Sequence, residues 1–159
     1  MSLLDKEPVK RVEKVLKEFD QSISVIILEN TARTAKDAAD SLNCEVGAII
    51  KSLVFKAEET YVLSLIAGDK RCSLNKLKKI INKKDVSMAN PEEVKTQTGY
   101  TIGGVSPIGH LNPIKIFIDK SLERFNDLYA AAGHPNCVFK IDFKNIQKIT
   151  NGEIKELTE

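Results

Sequence analysis

Two apolar segments joined by a short polar turn constrain the fold of this chain more than any other feature. Residues 48–56 and 60–67 have the length and the Ile, Leu and Val content of buried strands. Only the polar turn Ala57-Glu58-Glu59 separates them, and this arrangement predicts a β-hairpin. The rest of the fold is therefore predicted around a sheet that contains this hairpin.

Helical patterns and further strand-length segments lie on both sides of the hairpin. An amphipathic helix is predicted at about residues 8–19, with an apolar face formed by Val9, Val12, Val15, Leu16 and Phe19. Other helices are predicted to begin at Thr34, Ser73, Asn90 and Asp142, and other strands at 25–28, 85–88, 114–118, 127–132, 138–141 and 154–157. The predicted fold class is α+β, a single domain over residues 1–159 in which helices flank a curved, mixed sheet.

Length, charge and cysteine content exclude several classes of protein. The 159 residues suit one compact domain, and no apolar run approaches the roughly 20 residues of a membrane span. Residues 1–19 carry nine charges, so no secretory signal is predicted. The three cysteines are widely spaced and odd in number, which argues against a disulfide framework and favours a reducing compartment. We therefore expect a cytoplasmic protein without a membrane partner.

The net charge of +2 is too small to indicate a nucleic-acid-binding protein by itself. Five lysines nevertheless fall within nine residues: Lys76, Lys78, Lys79, Lys83 and Lys84. Such a run forms either a solvated helix face or a contact for phosphate groups. The sequence leaves both interpretations open.

Residues 103–109, which we call the glycine loop, form the least regular stretch of the chain. Three glycines and Pro107 fall within these seven residues, between a capped helix and a predicted strand. Glycine permits positive φ angles and lets a ligand approach main-chain N–H groups. The loop matches neither the P-loop nor the dinucleotide-binding fingerprint. It is therefore either a ligand-binding loop or a tight connection that needs glycine for its geometry alone.

Lys51 interrupts the apolar strand predicted at residues 48–56. Strand alternation puts it on the same face as Ile49, Leu53 and Phe55. A lysine is seldom fully buried without a partner, so its amine either reaches water at a sheet edge or lines a cleft. The apolar setting favours the cleft, where the ammonium group would contact a phosphate or a polarised carbonyl.

Other chemically active side chains form less specific patterns. His110, His134 and Cys137 offer metal-binding atoms, but no second paired motif accompanies the His-x-x-Cys spacing, and we expect no metal site. Cys137 enters a strand and is typical of a small core residue. Ser106 lacks the sequence setting of a serine-hydrolase nucleophile. Asp119 closes a predicted strand, where it either faces a cleft or caps a turn.

In their order along the chain, these motifs resemble the YbaK/prolyl-tRNA-synthetase-associated family of aminoacyl-tRNA-editing domains. The resemblance covers about residues 30–150. The matching segments are Arg33-Thr34-Ala35-x-x-Ala38-Ala39, Ile50-Lys51-Ser52-Leu53-Val54-Phe55, Gly68-Asp69-x-Arg71, Ala89-x-Pro91-Glu92-x-Val94, Thr98-Gly99-Tyr100-x-x-Gly103-Gly104-Val105-Ser106-Pro107-x-Gly109-His110, Ile118-Asp119-x-x-Leu122 and Ala131-Ala132-Gly133. Each segment alone has low specificity, whereas the ordered set is specific.

The resemblance implies a fold, a reaction and a set of site residues. The implied fold is a single domain on a strongly curved, barrel-like mixed sheet. The implied reaction is hydrolysis of the ester between a wrong amino acid and the 3′ end of a tRNA, most often tRNA(Pro), by a freestanding enzyme. Lys51 and Gly104 map onto the catalytic site. The residues that map onto substrate-binding positions are Arg33, Thr34, Ser52, Gly103, Ser106, Pro107, His110, Asp119, Gly133 and His134.

Partners and substrate follow from the same resemblance. Mischarged tRNA is the expected substrate, prolyl-tRNA synthetase is a candidate partner, and no cofactor is expected. Main-chain N–H groups around Gly104 are candidate donors for the oxyanion that develops during ester hydrolysis. Some relatives that remove alanine carry Asn where this chain has Ser52, so alanine, cysteine, serine and small non-protein analogues all remain candidates. Because no clear acid–base pair is present, the alternative function is a non-catalytic module that binds a tRNA 3′ end, another nucleotide or a synthetase.

Overall fold

The computed structural model describes residues 2–159. Within this range the helices are α1 (Glu7–Phe19), α2 (Ala35–Leu42), α3 (Leu74–Ile81), α4 (Pro91–Thr98) and α5 (Phe143–Thr150). The strands are β1 (Val25–Ile27), β2 (Ile50–Ala57), β3 (Thr60–Ala67), β4 (Val86–Met88), β5 (Lys115–Asp119), β6 (Leu128–Ala131), β7 (Cys137–Ile141) and β8 (Glu153–Lys155). Short 3-10 helices cover Leu3–Asp5, Val46–Ala48 and Lys120–Arg124. None of the helices in this range is long and apolar enough to cross a membrane.

The strands form two sheets that are linked at one point. A five-stranded sheet has the order β4-β2-β3-β5-β8, and a three-stranded sheet has the order β1-β7-β6. A parallel bridge between Ile49 and Tyr129 links them. Strand β5 runs parallel to both β3 and β8, whereas the other pairs are antiparallel. The predicted α+β class and mixed pairing are confirmed, although the described strands divide into two sheets and do not close into a barrel.

The predicted hairpin is confirmed as β2 and β3. Its register runs from Ile50 opposite Ala67 to Ala57 opposite Thr60. Strand β3 is the centre of the five-stranded sheet, and all of its residues from 62 to 67 are buried. The hairpin therefore provides a rigid base on which β2 can present side chains to a site.

Two hydrophobic cores lie on the two faces of β3. Leu63 and Leu65 belong to the larger core, whereas Val62 and Ile66 belong to the smaller one. Helix α1 covers the larger core with three fully buried residues, Val9, Val12 and Leu16. The predicted apolar face of this helix is thus its packing face.

Side-chain caps fix the starts of four helices. Thr34, Ser73, Asn90 and Asp142 each accept a hydrogen bond from the main-chain N–H three residues ahead. At α4, Glu93 also accepts from the N–H of Asn90, which completes a capping box. These caps position the first turn of α2 and the helix that leads into the glycine loop.

Candidate active site

A cavity of about 340 Å³ lies between strand β2, helix α2, the glycine loop and residues of β6 and β7. We call it the main cavity, and its wall is largely apolar. The predicted site residues that line it are Arg33, Thr34, Lys51, Ser52, Gly103 and His134. The fold therefore brings together candidate residues from four separate segments of the chain.

Lys51 projects from β2 at the border of the main cavity. Its Nζ donates a hydrogen bond of 2.5 Å to the main-chain carbonyl of Lys70. Partial burial lowers the pKa of this amine; the carboxylate of Asp69 opposes the shift, and the guanidinium of Arg71 adds to it. An ammonium group has three N–H donors, so the bond to Lys70 leaves others for a ligand.

Gly104 brings the glycine loop against the turn that follows β6. The carbonyl of Gly104 accepts from the N–H of Gly133 over 3.1 Å. A Cβ at position 104 would lie 2.9 Å from the main-chain nitrogen of His134, so only glycine fits without moving the two segments apart.

The N–H of Gly104 is already used within the protein, because it donates to the carbonyl of Thr101 over 3.0 Å. It is therefore not available to an oxyanion in this conformation. Gly103 and Val105 flank it and line the main cavity. Neither of their N–H groups donates a hydrogen bond to another group in the described range 2–159.

Ser106, Pro107 and His110 lie behind the cavity wall rather than on it. Ser106 and Pro107 are buried, and Nε2 of His110 lies 2.7 Å from the carbonyl oxygen of Ser106. The hydroxyl of Tyr100 reaches the carbonyls of Ile108 and Gly109 at 2.7 and 3.0 Å. These contacts hold the shape of the glycine loop from beneath.

The turn after β6 supplies the opposite side of the main cavity. Gly133 is buried, and the neighbouring His134 reaches the cavity wall. Nδ1 of His134 accepts from the N–H of Asn136 over 3.0 Å, so a neutral ring carries its proton on Nε2. Partial burial lowers the pKa of this imidazole, and Lys6 and Arg33 contribute to the shift.

Arg33, Thr34 and Ser52 complete the predicted set at the cavity. Arg33 is exposed and lies beside Gly103, at whose position a Cβ would be 3.4 Å from Cγ of Arg33. Thr34 combines its place in the wall with its role as the cap of α2. The hydroxyl oxygen of Ser52 is buried and has no hydrogen-bond partner among residues 2–159.

Asp119 lies apart from the other candidates. It is 1% exposed and accepts hydrogen bonds from the main-chain N–H groups of Ser121 and Leu157 at 3.0 and 2.7 Å. It borders a groove near the C-terminal residues and not the main cavity. Of the two interpretations offered by the sequence, its contacts are those of a capping residue.

The apolar wall of the main cavity is what sequence reasoning missed. Its members include Ala38, Val54, Val94, Ala130, Cys137 and Val138. Apolar residues in helices and strands give no signal that separates a cavity wall from ordinary core. Met88 and Ile102, which also line it, are 57% and 58% exposed. The sequence does contain a signal for Ile102, because an apolar residue directly before two glycines indicates an apolar side chain at the edge of the glycine loop.

Among the side chains of residues 2–159, no group of three or more His, Cys, Asp and Glu is placed to hold a metal ion. Cys137 is fully buried, and burial raises the pKa of its thiol. Five titratable side chains line the main cavity. They are the cations Arg33 and Lys51, the imidazole of His134, the phenol of Tyr129 and the thiol of Cys137.

Comparison with known proteins places this geometry in a family. Residues 29–149 match the family model of the aminoacyl-tRNA editing domain. The chain is 28% identical over 147 residues to the uncharacterized protein YwhH of Bacillus subtilis, covering 92% of this chain and 93% of that protein. It is 30% identical over 126 residues to EbsC of Enterococcus faecalis, named as a candidate Cys-tRNA(Pro)/Cys-tRNA(Cys) deacylase, covering 79% and 77% of the two chains.

Longer proteins and a solved structure extend the similarity. The proline–tRNA ligase of Kosmotoga olearia is 32% identical over 119 residues, which are 75% of this chain and 19% of the ligase. A crystal structure described as a candidate trans-editing enzyme for prolyl tRNA synthetase superposes with a TM-score of 0.91 at 34% identity, covering 97% of this chain and 98% of that one. The chain belongs to the aminoacyl-tRNA editing domain family.

Proposed function

We propose that this protein is a trans-acting aminoacyl-tRNA deacylase. In this proposal it hydrolyses the ester of a mischarged tRNA, with tRNA(Pro) as the first candidate. The observation that carries the proposal is the meeting of Lys51 and the glycine loop in one apolar cavity of an editing-domain family member. Action in trans is supported by similarity along almost the whole chain to the candidate trans-editing enzyme.

The wall of the main cavity favours a small amino acid. Ala38, Ala130 and Cys137 leave little polar surface, and the cavity measures about 340 Å³. Small apolar side chains differ too little in binding energy for a synthetase to separate them completely, so a second, hydrolytic site is needed. We therefore propose alanine, cysteine, serine or an analogue of similar size as the amino acid that is removed.

The proposed chemistry relies on positioning and charge stabilisation. A water oxygen bonds to the ester carbonyl carbon and gives up one proton to solvent, while the carbonyl oxygen becomes an oxyanion. The oxyanion then re-forms the carbonyl as the bond to the ribose oxygen breaks, and the ribose oxygen takes a proton from solvent. We assign the oxyanion donors to the N–H groups of Gly103 and Val105, because the N–H of Gly104 is bound to Thr101. The ammonium of Lys51 holds the terminal phosphate or the carbonyl, and no protein side chain is assigned as general base.

One observation supports the alternative function. Among residues 2–159, neither Asp nor Glu lines the main cavity, so this part of the chain places no carboxylate base there. A module that binds the 3′ end of an aminoacylated tRNA without cleaving it would need only the cavity and its cations. The two functions differ in whether the ester survives.

Deacylation of a panel of labelled tRNA(Pro) species tests the proposal. The tRNA is charged with proline, alanine, cysteine, serine or 2-aminobutyrate, and wild-type protein is compared with Lys51→Ala. We expect selective loss of one non-cognate ester and a rate about 10²-fold lower for the variant if the amine of Lys51 donates to the carbonyl oxygen of the ester, since this is the cost of removing one such donor. Lys56→Ala is the matched control, because Lys56 lies in the same strand but its amine pairs with Glu93 at 3.4 Å.

Circular dichroism and melting curves establish that Lys51→Ala is folded at the assay temperature. If every ester survives at high enzyme concentration, the deacylase proposal is wrong for tRNA(Pro). Tight binding of a non-hydrolysable aminoacyl-tRNA analogue under the same conditions would then establish the binding module.

A further inference from the structure

A second depression adjoins the main cavity and shares part of its wall. It measures about 490 Å³, and Lys51, Leu53 and Met88 line both spaces. Its far side is formed by the turn after β3 and the start of α3, including Arg71 and Leu74. We call this depression the Arg71 groove. A molecule held in the main cavity can therefore extend past Lys51 into the groove.

The Arg71 groove has more positive than negative charge that is not already paired within the protein. Lys70 and Arg71 are exposed, and neither forms an ion pair within residues 2–159. Asp69 is the carboxylate in the groove wall, and Arg124 neutralises it through two hydrogen bonds of 2.7 and 3.0 Å. With Lys51 on the border, three cations face this depression.

Exposed apolar side chains accompany these cations. Met88 is 57% exposed and Leu74 is 39% exposed, and both line the Arg71 groove. Exposed apolar patches mark interaction sites. Sites for single-stranded nucleic acid combine cations that meet phosphates with side chains against which bases pack, and here Leu74 and Met88 are the side chains open to such packing.

The lysine run at residues 76–84 is a less suitable phosphate contact. Lys76 donates its Nζ to the carbonyl of Thr158 at 2.6 Å, and Lys83 pairs with Glu58 at 3.9 Å. The amine of Lys76 is thus held by one bond and that of Lys83 faces a carboxylate, whereas the side chains of Lys70 and Arg71 form no such contact within residues 2–159.

We propose that the Arg71 groove binds the single-stranded nucleotides that precede the terminal nucleoside of the RNA substrate. This inference rests on the proposed function, because it places the aminoacylated terminal nucleoside in the main cavity. The phosphates contact Lys70 and Arg71, and the bases pack on Leu74 and Met88. The groove thus makes the protein select a single-stranded RNA end rather than a free aminoacyl nucleoside.

Binding of two fluorescein-labelled RNA hairpins tests this inference without requiring hydrolysis. One hairpin carries the single-stranded 3′ end of a tRNA, and the other has the same stem with a blunt end. We expect the double variant Lys70→Gln/Arg71→Gln to bind the single-stranded end about 10-fold more weakly. The slope of log affinity against log salt should fall by about 1.4, since each phosphate contact in a single strand contributes about 0.7. Binding of the blunt hairpin should not change.

Lys144→Gln serves as the matched control, because Lys144 is equally exposed on α5 and lines neither the main cavity nor the Arg71 groove. The inference is overturned if the double variant binds both hairpins equally weakly, or if it binds both as tightly as the wild type does. It is also overturned if the wild type does not prefer the hairpin with the single-stranded end.

Hydrolysis of two esters separates this inference from the proposed function. Wild-type protein and the double variant are given the alanyl or cysteinyl ester of the hairpin with a single-stranded end, and the same ester of adenosine alone. We expect the double variant to lose about 10-fold in kcat/KM on the hairpin ester and to retain the wild-type rate on aminoacyl-adenosine. Equal loss on both esters overturns the groove. If the wild-type protein cleaves neither ester, the deacylase proposal is contradicted. If it then still shows the expected binding pattern, the Arg71 groove remains an RNA-binding site.

Discussion

His110 lies beneath the glycine loop with one ring nitrogen directed at a main-chain carbonyl. Nε2 is 2.7 Å from the main-chain carbonyl oxygen of Ser106, so in the neutral ring this nitrogen carries the hydrogen and donates a hydrogen bond to that oxygen. Burial lowers the pKa of this imidazole below its ordinary value; the bond to Ser106 opposes the shift, and the nearby charge of Arg11 adds to it. The neutral ring is thus the form that fits the folded loop.

Protonation of His110 should make unfolding easier in mild acid. The pKa of the folded state lies below the ordinary value of 6.5, so the unfolded chain takes up the proton first as the pH falls. The free energy of unfolding should therefore decrease below about pH 6.5. Denaturant titrations at pH 7 and pH 5 measure this decrease, and His110→Gln should make it smaller.

His134→Gln is the comparison for this pH effect, because His134 also has a lowered pKa and its substitution measures the part of the decrease that His134 contributes. A pH dependence in His110→Gln that matches the wild type would show that His110 does not cause the decrease.

Some residues that line the main cavity have a sequence signal, because their residue type differs from that of their surroundings or forms a local cluster. Lys51 is a charged residue in an apolar strand, and Gly103 belongs to a cluster of three glycines within seven residues. Gly104 was identified as well, but the bond that engages its N–H depends on the loop conformation. Asp119 ends a strand in sequence, yet its partner Leu157 lies 38 residues away and only the fold brings them together.

At the scale of elements, helix α1 is joined to the glycine loop through Arg11. The side chain of Arg11 is 18% exposed, and its Nε donates to the carbonyl of Gly109 over 2.6 Å. Nη2 donates to the carbonyl of Thr98 at the end of α4 over 3.3 Å, and the guanidinium lies 4.7 Å from the ring centre of Tyr100. One side chain therefore ties two helices to the loop that lines the main cavity.

Arg11→Met should destabilise the protein and slow its proposed reaction. The variant keeps much of the side-chain volume but removes the charged donor to the carbonyls of Gly109 and Thr98, which keep only the hydroxyl of Tyr100 and the N–H of Leu111, a loss of about 1–3 kcal/mol. We expect a lower melting temperature, and a lower kcat for deacylation even at temperatures where the variant is fully folded. Added guanidinium chloride at low millimolar concentration should restore part of this kcat.

Glu7→Gln is the matched control for Arg11→Met, because it removes an exposed ion pair and keeps the bonds to the loop. Its effect on the free energy of unfolding should stay below about 0.5 kcal/mol. An Arg11→Met variant with reduced stability but the wild-type kcat would mean that Arg11 supports the fold without positioning the loop.

Local elements followed from the sequence, whereas their assembly did not. The hairpin depends on neighbouring segments and a short turn, and the caps at Thr34, Asn90 and Asp142 depend on side chains within three residues. The division into two sheets and the parallel pairing of β3 with β5 involve segments far apart in the chain, so long-range packing decides both. The strand predicted at 154–157 is observed at Glu153–Lys155, because Leu157 instead bonds to Asp119 and Ser73.

At the scale of the whole molecule, the C-terminal residues are connected to Lys51 through three sets of contacts. Asp119 accepts from the N–H of Leu157, and the carbonyl of Leu157 accepts from the N–H of Ser73 over 2.6 Å. The N–H of Glu159 donates to the carbonyl of Arg71 over 3.0 Å. The adjacent carbonyl of Lys70 holds the amine of Lys51. Residues beyond the matched range 29–149 are therefore connected by hydrogen bonds to the segment that holds Lys51, and we expect them to help position its amine.

Asp119→Asn should slow the proposed reaction by loosening this connection. An amide has one acceptor oxygen where the carboxylate has two, so the bonds to Leu157 and to Ser121 cannot both be kept. We expect a destabilisation of about 1–3 kcal/mol and a several-fold lower single-turnover rate in conditions where the variant remains folded. Glu156→Gln, an exposed change in the same C-terminal segment, should leave both quantities unchanged.

A double-mutant cycle with Lys51→Ala decides whether Asp119 acts through Lys51. If Asp119 serves to hold the Lys70 carbonyl in place, its substitution has nothing further to disturb once the amine of Lys51 is gone. Asp119→Asn should then lower the single-turnover rate of the wild type but not the residual rate of Lys51→Ala. The same fractional loss in both backgrounds would show that Asp119 affects the reaction by another route, and an unchanged rate in the wild-type background would show that the C-terminal segment contributes to stability alone. The bonds between Ser73 and Leu157 and between Arg71 and Glu159 are main-chain bonds, which many sequences can form, so the link between Asp119 and Lys51 is visible only in the fold.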